Sequence, residues 1–202
     1  MQITWHGQTC FKIITQKEKN GQVVILIDPF EKEVGLRAPK TEADVLLSTQ
    51  LDKKISPENY FLIAGPGEYD LKGIYIQGIP VSKNIIYTIE SEDLKICHLG
   101  LLGQKDLTPE QLETIGDIDI LMVPVGGGEA LDSEGAVKII SRIEPKITIP
   151  MYYHLPGLKL KLGGVDKFLK VLGIKSLAPL PKLTLKKKDI SEEEAKIVVL
   201  ES

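Results

Sequence analysis

Asp44-Val45-Leu46-Leu47-Ser48-Thr49-Gln50-Leu51-Asp52-Lys53-Lys54-Ile55 passes from a continuous apolar run into a polar loop with two adjacent lysines. Val45-Leu46-Leu47 shows no alternation of polar and apolar residues, which is the pattern of a strand covered on both faces. Val23-Val24-Ile25-Leu26-Ile27 upstream has the same character and reads as a central strand. Cys10 to Thr15 and Gln22 to Asp28 flank Lys17-Glu18-Lys19-Asn20-Gly21, where Asn-Gly predicts a hairpin turn. Gly73 to Ile79, Ile85 to Glu90 and Leu94 to Cys97 continue the strand pattern, punctuated by Gly, Pro, Ser or Asn.

Past these strands the pattern changes to alternating helix and strand. Thr108-Pro109-Glu110-Gln111 combines an N-cap threonine, proline at the first helical position and a capping-box glutamine, and the helix it starts stops near Gly116. Asp119 to Val123 reads as a buried strand, Ser133 to Ile143 as a helix with Ala136, Ile140 and Ile143 on one face, and Lys146 to Ile149 as a further strand. A third helix, Val165 to Leu172, ends at Gly173, and Leu183 to Leu185 and Ile197 to Leu200 are strand-like. With no internal linker, repeat or low-complexity tract, residues 1–202 are expected to form one domain, with two sheets and helices outside them. Periodicity alone leaves a doubly wound sheet or a β-rich α+β fold equally open.

Composition excludes several function classes. Apolar residues make up 43% and charged residues 26%, which suits a globular chain with a substantial core. The formal charge of −3 argues against a nucleic-acid partner, and Lys186-Lys187-Lys188 is soon offset by Glu192-Glu193-Glu194. No run reaches the roughly 18 apolar residues that span a membrane, and no basic segment leads into an apolar one at the start. Cys10 and Cys97, far apart and in apolar surroundings, read as buried reduced thiols, so the expected location is cytoplasmic.

Gly7-Gln8-Thr9-Cys10-Phe11, Ile25-Leu26-Ile27-Asp28-Pro29-Phe30, Ala43 to Thr49, Gly65-Pro66-Gly67-Glu68-Tyr69, Cys97-His98-Leu99-Gly100, Val123-Pro124-Val125-Gly126-Gly127 and Ile149-Pro150-Met151-Tyr152-Tyr153 resemble, in that order, segments of the metallo-β-lactamase superfamily. The likeness runs from Ile3 to Leu200 and is nearest to the short, UlaG-like bacterial members. It implies an α/β fold, a four-layered αββα sandwich, and a zinc or manganese hydrolase site along one edge between the sheets. The resemblance also gives the positions of the metal ligands, and there the chain departs from the family. Gln50 stands at the first histidine of the His-x-His-x-Asp-His loop, Asp52 at the second, Lys54 at the aspartate and Ile55 at the last histidine. Leu101 occupies the place of the bridging aspartate and Tyr152 that of the final histidine.

Zinc requires imidazole, thiolate or carboxylate donors, usually three or more from the protein. Lysine's ammonium has no lone pair to give, and leucine and isoleucine have no donor, so of these six positions only Asp52 keeps a good ligand. No cofactor is therefore expected. The candidate vestigial site comprises Gln8, Gln50, Asp52, Lys54, Glu68, His98, Leu101, Tyr152 and His154. His98 reads either as a site-lining residue or as a backbone-bonded structural one, His6 as structural and His154 as exposed. Glu68 reads either as a site carboxylate or as one accepting bonds from the glycine-rich turn. Gly126-Gly127-Gly128 reads as a backbone turn rather than an anion cradle, and neither a nucleophile elbow nor a phosphate loop is present. The expected function is that of a metal-free binding or interaction protein whose partner is a small molecule or a protein, with self-association left open. The alternatives are a metal-dependent hydrolase with a different ligand set, and a metal-free enzyme using Lys54, Tyr152 or His98 as acid or base.

Overall fold

The computed structural model describes residues 1–16, 21–51, 59–71, 73–191 and 194–202. The strands are β1 (Gln2–Trp5), β2 (Phe11–Gln16), β3 (Gln22–Ile27), β4 (Val45–Leu47), β5 (Phe61–Ile63), β6 (Gly67–Leu71), β7 (Ile74–Val81), β8 (Asn84–Ser91) and β9 (Leu94–His98). Helix α1 (Pro109–Ile115), β10 (Ile120–Pro124), α2 (Ser133–Ile143), β11 (Ile147–Met151), α3 (Val165–Val171), β12 (Leu183–Thr184) and β13 (Lys196–Ile197) follow. One sheet runs β12-β1-β2-β3-β4-β5 and the other β13-β11-β10-β9-β8-β7-β6. Both are mixed, and helices flank the pair, which is the sandwich that the resemblance implies.

Local chemistry explains the elements. Val23 to Ile27, rich in β-branched residues, pairs antiparallel with β2 from Phe11↔Ile27 to Gln16↔Gln22 and parallel with β4. The predicted turn at Asn20-Gly21 falls on residues 17–20, which lie outside the described residues, apart from Gly21. Thr108 forms the expected capping box: its hydroxyl accepts from Gln111 N, and the Gln111 amide oxygen accepts from Thr108 N. Asp132 caps α2 by accepting from Gly135 N. Gly65 to Tyr69, read from sequence as a glycine-rich turn, instead runs into β6, and β6 and the unpredicted β5 are edge strands of the two sheets, joined through Ala64-Gly65-Pro66. At the end of the chain, strand pairing covers Lys196–Ile197, and Leu200 makes a single bridge with Leu180.

The core fills the space between the sheets. Trp5, Phe11, Ile13, Ile25, Ile27 and Leu47 come from one side, and Ile76, Tyr87, Ile89 and Ile96 from the other. The Trp5 ring lies 4.7 Å from the Tyr153 ring, and Phe11 meets the His98 imidazole edge-on at 5.7 Å, so aromatic contacts tie the first sheet to the ends of β9 and β11. Within the second sheet β9, β10 and β11 are parallel, so their carboxyl ends point to one edge of the sandwich. In the first sheet β3, β4 and β5 are also mutually parallel.

Candidate functional site

In open α/β sheets ligand sites gather where parallel strands end, because loops from several strands converge there. The loops after β4, β9 and β10 and the β7–β8 turn enclose a cleft of about 570 Å³ lined by Gln50, Val81, Asn84, Leu101, Gln104 and Glu129. Gln50 and Leu101, which stand at two metal-ligand positions of the resemblance, are thus brought to one cleft. A single antiparallel bridge between Gln50 and Asn84 fixes the loop after β4 against the start of β8.

Asp28 organises the approach to this loop. It is 2% exposed and adopts a left-handed φ of 47°, and its carboxylate accepts from Thr49 N at 2.8 Å and Thr49 Oγ1 at 2.6 Å. Charge-assisted bonds of this kind are among the stronger ones a fold can make. Gly100 closes over the same threonine: a Cβ there would stand 2.7 Å from Thr49 Cβ and Oγ1.

His98 is fully buried, and both ring nitrogens are engaged. Nδ1 accepts from Gly100 N–H at 3.1 Å, which leaves Nε2 as the protonated nitrogen donating to Thr9 O at 2.9 Å. Burial depresses its basicity, opposed by Asp28 and by its backbone bonds. No lone pair remains for a metal. Of the two readings left open by the sequence, this geometry is that of the backbone-bonded structural histidine.

Tyr152, at another metal-ligand position of the resemblance, follows β11 with a left-handed φ of 52°. Its N–H donates to Gln8 O and its carbonyl accepts from Gly126 N. Its hydroxyl donates to Glu129 Oε1 at 3.0 Å, so the tyrosine reaches the carboxylate that lines the cleft. Burial, followed by the charge of Glu129 and the bond to it, pushes the phenol well above its usual range. Gln8 is also left-handed, with φ 49°, and its Nε2 is buried without a hydrogen-bond partner among the described residues. Positive-φ residues other than glycine are uncommon, and Gln8, Asp28 and Tyr152 are joined by neighbouring segments of one edge.

The remaining candidates lie elsewhere. Glu68 is exposed on edge strand β6 and hydrogen-bonds Tyr75, whose phenol it helps raise behind a larger effect of desolvation. That replaces both earlier readings of Glu68, as cleft carboxylate and as acceptor for the glycine turn. His154 is exposed, with its N–H donating to Gly163 O. His6 is half-buried and, through desolvation and then Lys12, less basic than usual. Asp52 and Lys54, and with them any pairing of Lys54, lie outside the described residues. Among the described residues no group of three or more His, Cys, Asp or Glu side chains is placed to hold a metal ion. Gln50, Leu101, Tyr152 and a His98 with both ring nitrogens hydrogen-bonded do not fit a zinc or manganese centre.

Sequence reasoning missed Asn84, Gln104 and Glu129. Only Glu129 carried a signal, as the acid directly after Gly126-Gly127-Gly128, a loop that passes from the end of β10 into the cleft. A larger groove, about 990 Å³, opens at the amino ends of the same parallel strands, around Glu90, Asp93, Lys95, Asp119 and Lys146. None of Gln50, Leu101 and Tyr152 lines it, and its Asp119 carboxylate is held by Lys95 N and the Lys187 ammonium.

The family model for the β-lactamase superfamily domain matches residues 2–152. A Thermotoga maritima structure, described as that of a candidate Zn-dependent hydrolase of the metallo-β-lactamase superfamily, superposes with a TM-score of 0.83 at 36% identity, covering 100% of both chains. A UPF0173 protein of Pyrococcus abyssi is 26% identical over 188 residues, covering 78% of this chain and 85% of its own. A UPF0173 metal-dependent hydrolase of Thermoplasma acidophilum is 25% identical over 195 residues, covering 76% of this chain and 84% of its own. Both of those relatives are archaeal, so the likeness is not confined to bacterial members. The chain belongs to the β-lactamase superfamily domain family, with the metallo-β-lactamase fold.

Proposed function

We propose that this protein is a metal-free member of its family that binds a small molecule in the cleft at the carboxyl ends of β4, β9 and β10. The observation that carries this reading is the donor chemistry. Gln50 and Leu101 line the cleft, Tyr152 is bonded to Glu129, and His98 has spent both nitrogens on backbone groups. A catalytic zinc needs several lone-pair donors around one point and an open position for water, and these side chains do not supply them. Fold does not fix function, so the hydrolase label of relatives is not inherited where the ligands are replaced. A cleft of about 570 Å³ is of a size that commonly takes small ligands.

A cytoplasmic setting accords with two buried cysteines, Cys10 and Cys97. Among the described residues no helix is long and apolar enough to cross a membrane. A second reading, a metal-dependent hydrolase with another ligand set, draws on the likeness to the Thermoplasma acidophilum protein, which is described as a metal-dependent hydrolase. Elemental analysis of protein purified without chelators separates the two. Metal at well below one equivalent in a folded sample is the expected result, and near-stoichiometric zinc, manganese or iron would overturn the metal-free reading.

A further inference from the structure

Charge is not spread evenly over this chain. Residues 155–182, which run from the end of β11 to β12, hold Lys159, Lys161, Lys167, Lys170, Lys175 and Lys182 against a single acid, Asp166. Six positive charges less one leave +5 on this segment, so in a chain of formal charge −3 the other residues carry −8. All six lysines are exposed, and none joins an ion pair among the described residues. The segment also carries Leu160, Val171 and Leu180, three of the five large hydrophobic side chains exposed among the described residues. Topology keeps it to one side of the sandwich. Because β5 and β6 are joined by three residues, the edge strands β12 and β13 mark the opposite side, and the segment crosses there from β11, the neighbour of β13, to β12. Leu180 bridges Leu200 just past β13. The loop before α3 folds back on the helix: His154 N donates to Gly163 O, and Lys167 Cδ lies 3.6 Å from where a Gly163 Cβ would stand. Lys167, Lys170 and Val171 follow at i, i+3 and i+4, one face of the helix, while Phe168 and Leu169 are buried. The loop of Leu160 and Lys161 therefore adjoins the outward face of α3.

From this segregation we infer that the α3 side of the protein docks on an anionic lipid surface, with the lysine ammoniums among the headgroups and Leu160 and Val171 at the acyl boundary. The formal charge of the whole chain does not oppose this, because salt screens charges more than about 8–10 Å away and the local +5 decides the contact. Nucleic-acid faces draw on arginine forks and exposed aromatic rings. The segment has no arginine, and its one aromatic residue, Phe168, is buried. Exposed aliphatic side chains set among lysines suit a bilayer interface instead, since lysine stems lie along apolar surface while the ammonium stays in water. With seven residues, α3 rests on such a surface and does not cross it. Each lysine that reaches an anionic leaflet strengthens association about fivefold. This inference is independent of what the cleft binds.

The test is co-sedimentation of the full chain, at about 0.1 M salt, with vesicles of equimolar phosphatidylserine and phosphatidylcholine and with vesicles of phosphatidylcholine alone. Saturable binding to the mixed vesicles is expected, weakening as salt rises, with none to phosphatidylcholine. Lys167→Gln combined with Lys170→Gln should weaken it at least about tenfold, and Leu160→Ser several-fold. These side chains are exposed, so circular dichroism should report an intact fold in both variants. Lys105→Gln, in the loop between β9 and α1, removes the same kind of charge outside the segment and should change binding by less than about twofold. Failure to sediment with the mixed vesicles, equal binding to phosphatidylcholine, or a loss in Lys105→Gln as large as in the double variant would overturn the assignment. Duplex DNA displacing the protein from the mixed vesicles would mark the side as a nucleic-acid face and overturn it as well.

Discussion

Replacing Gly100 by alanine tests whether the strand ends are locked as their geometry implies. Gly100 sits at φ +56°, and an added Cβ would stand 2.7 Å from Thr49 Cβ and Oγ1 and 3.1 Å from Cγ2. Left-handed backbone costs an L-residue about 1–2 kcal/mol, and forcing a methyl into packed surroundings adds about 1–3 kcal/mol. The neighbour cannot yield cheaply, because Thr49 is held to Asp28 by bonds of 2.8 and 2.6 Å, and Asp28 is itself buried. Together these effects predict a loss of about 2–5 kcal/mol, read as a lower denaturation midpoint at unchanged slope. In a chain of this size, each kcal/mol corresponds to about 2–4 °C in melting temperature. A second signal follows from Gly100 N–H, which donates to His98 Nδ1: displacement of that amide should alter the ring-nitrogen shifts of His98. A loss below about 0.5 kcal/mol, the level of an ordinary surface substitution, together with unchanged His98 shifts would refute the locked arrangement.

Tyr152→Phe removes the bond to Glu129 and should cost about 1–3 kcal/mol by denaturant unfolding, since one partner is a carboxylate; a neutral result would mean that the bond is not maintained in solution. Stability should fall with acid in two limbs. His6 and His98 have folded-state basicities below their ordinary value, so as pH drops below about 6.5 the unfolded chain gains protons that the fold excludes. Glu92 works through the opposite partner. Burial opposes its ionisation, but bonds from the N-terminal amine, Thr15 and Gln16 outweigh that and hold its carboxyl below the usual range, so its contribution is present above that range and lost as pH falls through it. Glu92→Gln should flatten the lower limb alone, and an unchanged profile would remove Glu92 from the account. Excess EDTA should leave the melting temperature unchanged within about 1 °C, because core burial and not ion binding holds the sandwich together; a large drop would contradict this. Gln50→His should confer neither tight zinc binding nor zinc-dependent ester hydrolysis, since Leu101 and Tyr152 stay donor-poor, and turnover from that single change would place the ligands elsewhere.

The fold was legible in the sequence wherever one physical cause dominated. Val23 to Ile27 could only be a covered strand, and Thr108 to Gln111 encoded its own capping box. Phe61 to Leu71 was not legible because edge strands draw their pairing from the rest of the sheet: β5 is three residues long, and β6 begins at a glycine that local reasoning assigns to a turn. The site divides along the same line. That leucine offers a metal no donor and tyrosine a poor one follows from side-chain chemistry alone, so the departure of Leu101 and Tyr152 from the family's ligands is readable in the sequence.

What took the ligands' place was not readable, because it depends on orientation. His98 is spent by a glycine two residues away and by Thr9, a partner 89 positions distant, and no spacing in the sequence announces that pair. The polarity of the cleft has the same origin. Asn84 and Gln104 are amphoteric in sequence, and Leu101 O and Gln111 Oε1 fix which way their amides turn. Gln111 is turned by Pro80 O and by the first turn of α1, so a helix cap outside the cleft sets the sign of a group within it. A substitution at Thr108 or Gln111 would therefore change the donor–acceptor balance of the cleft without altering any residue that lines it. The same dependence gives the edge a defined orientation of its amides. Its lining is oriented by backbone carbonyls and a helix cap, none of which required the ion.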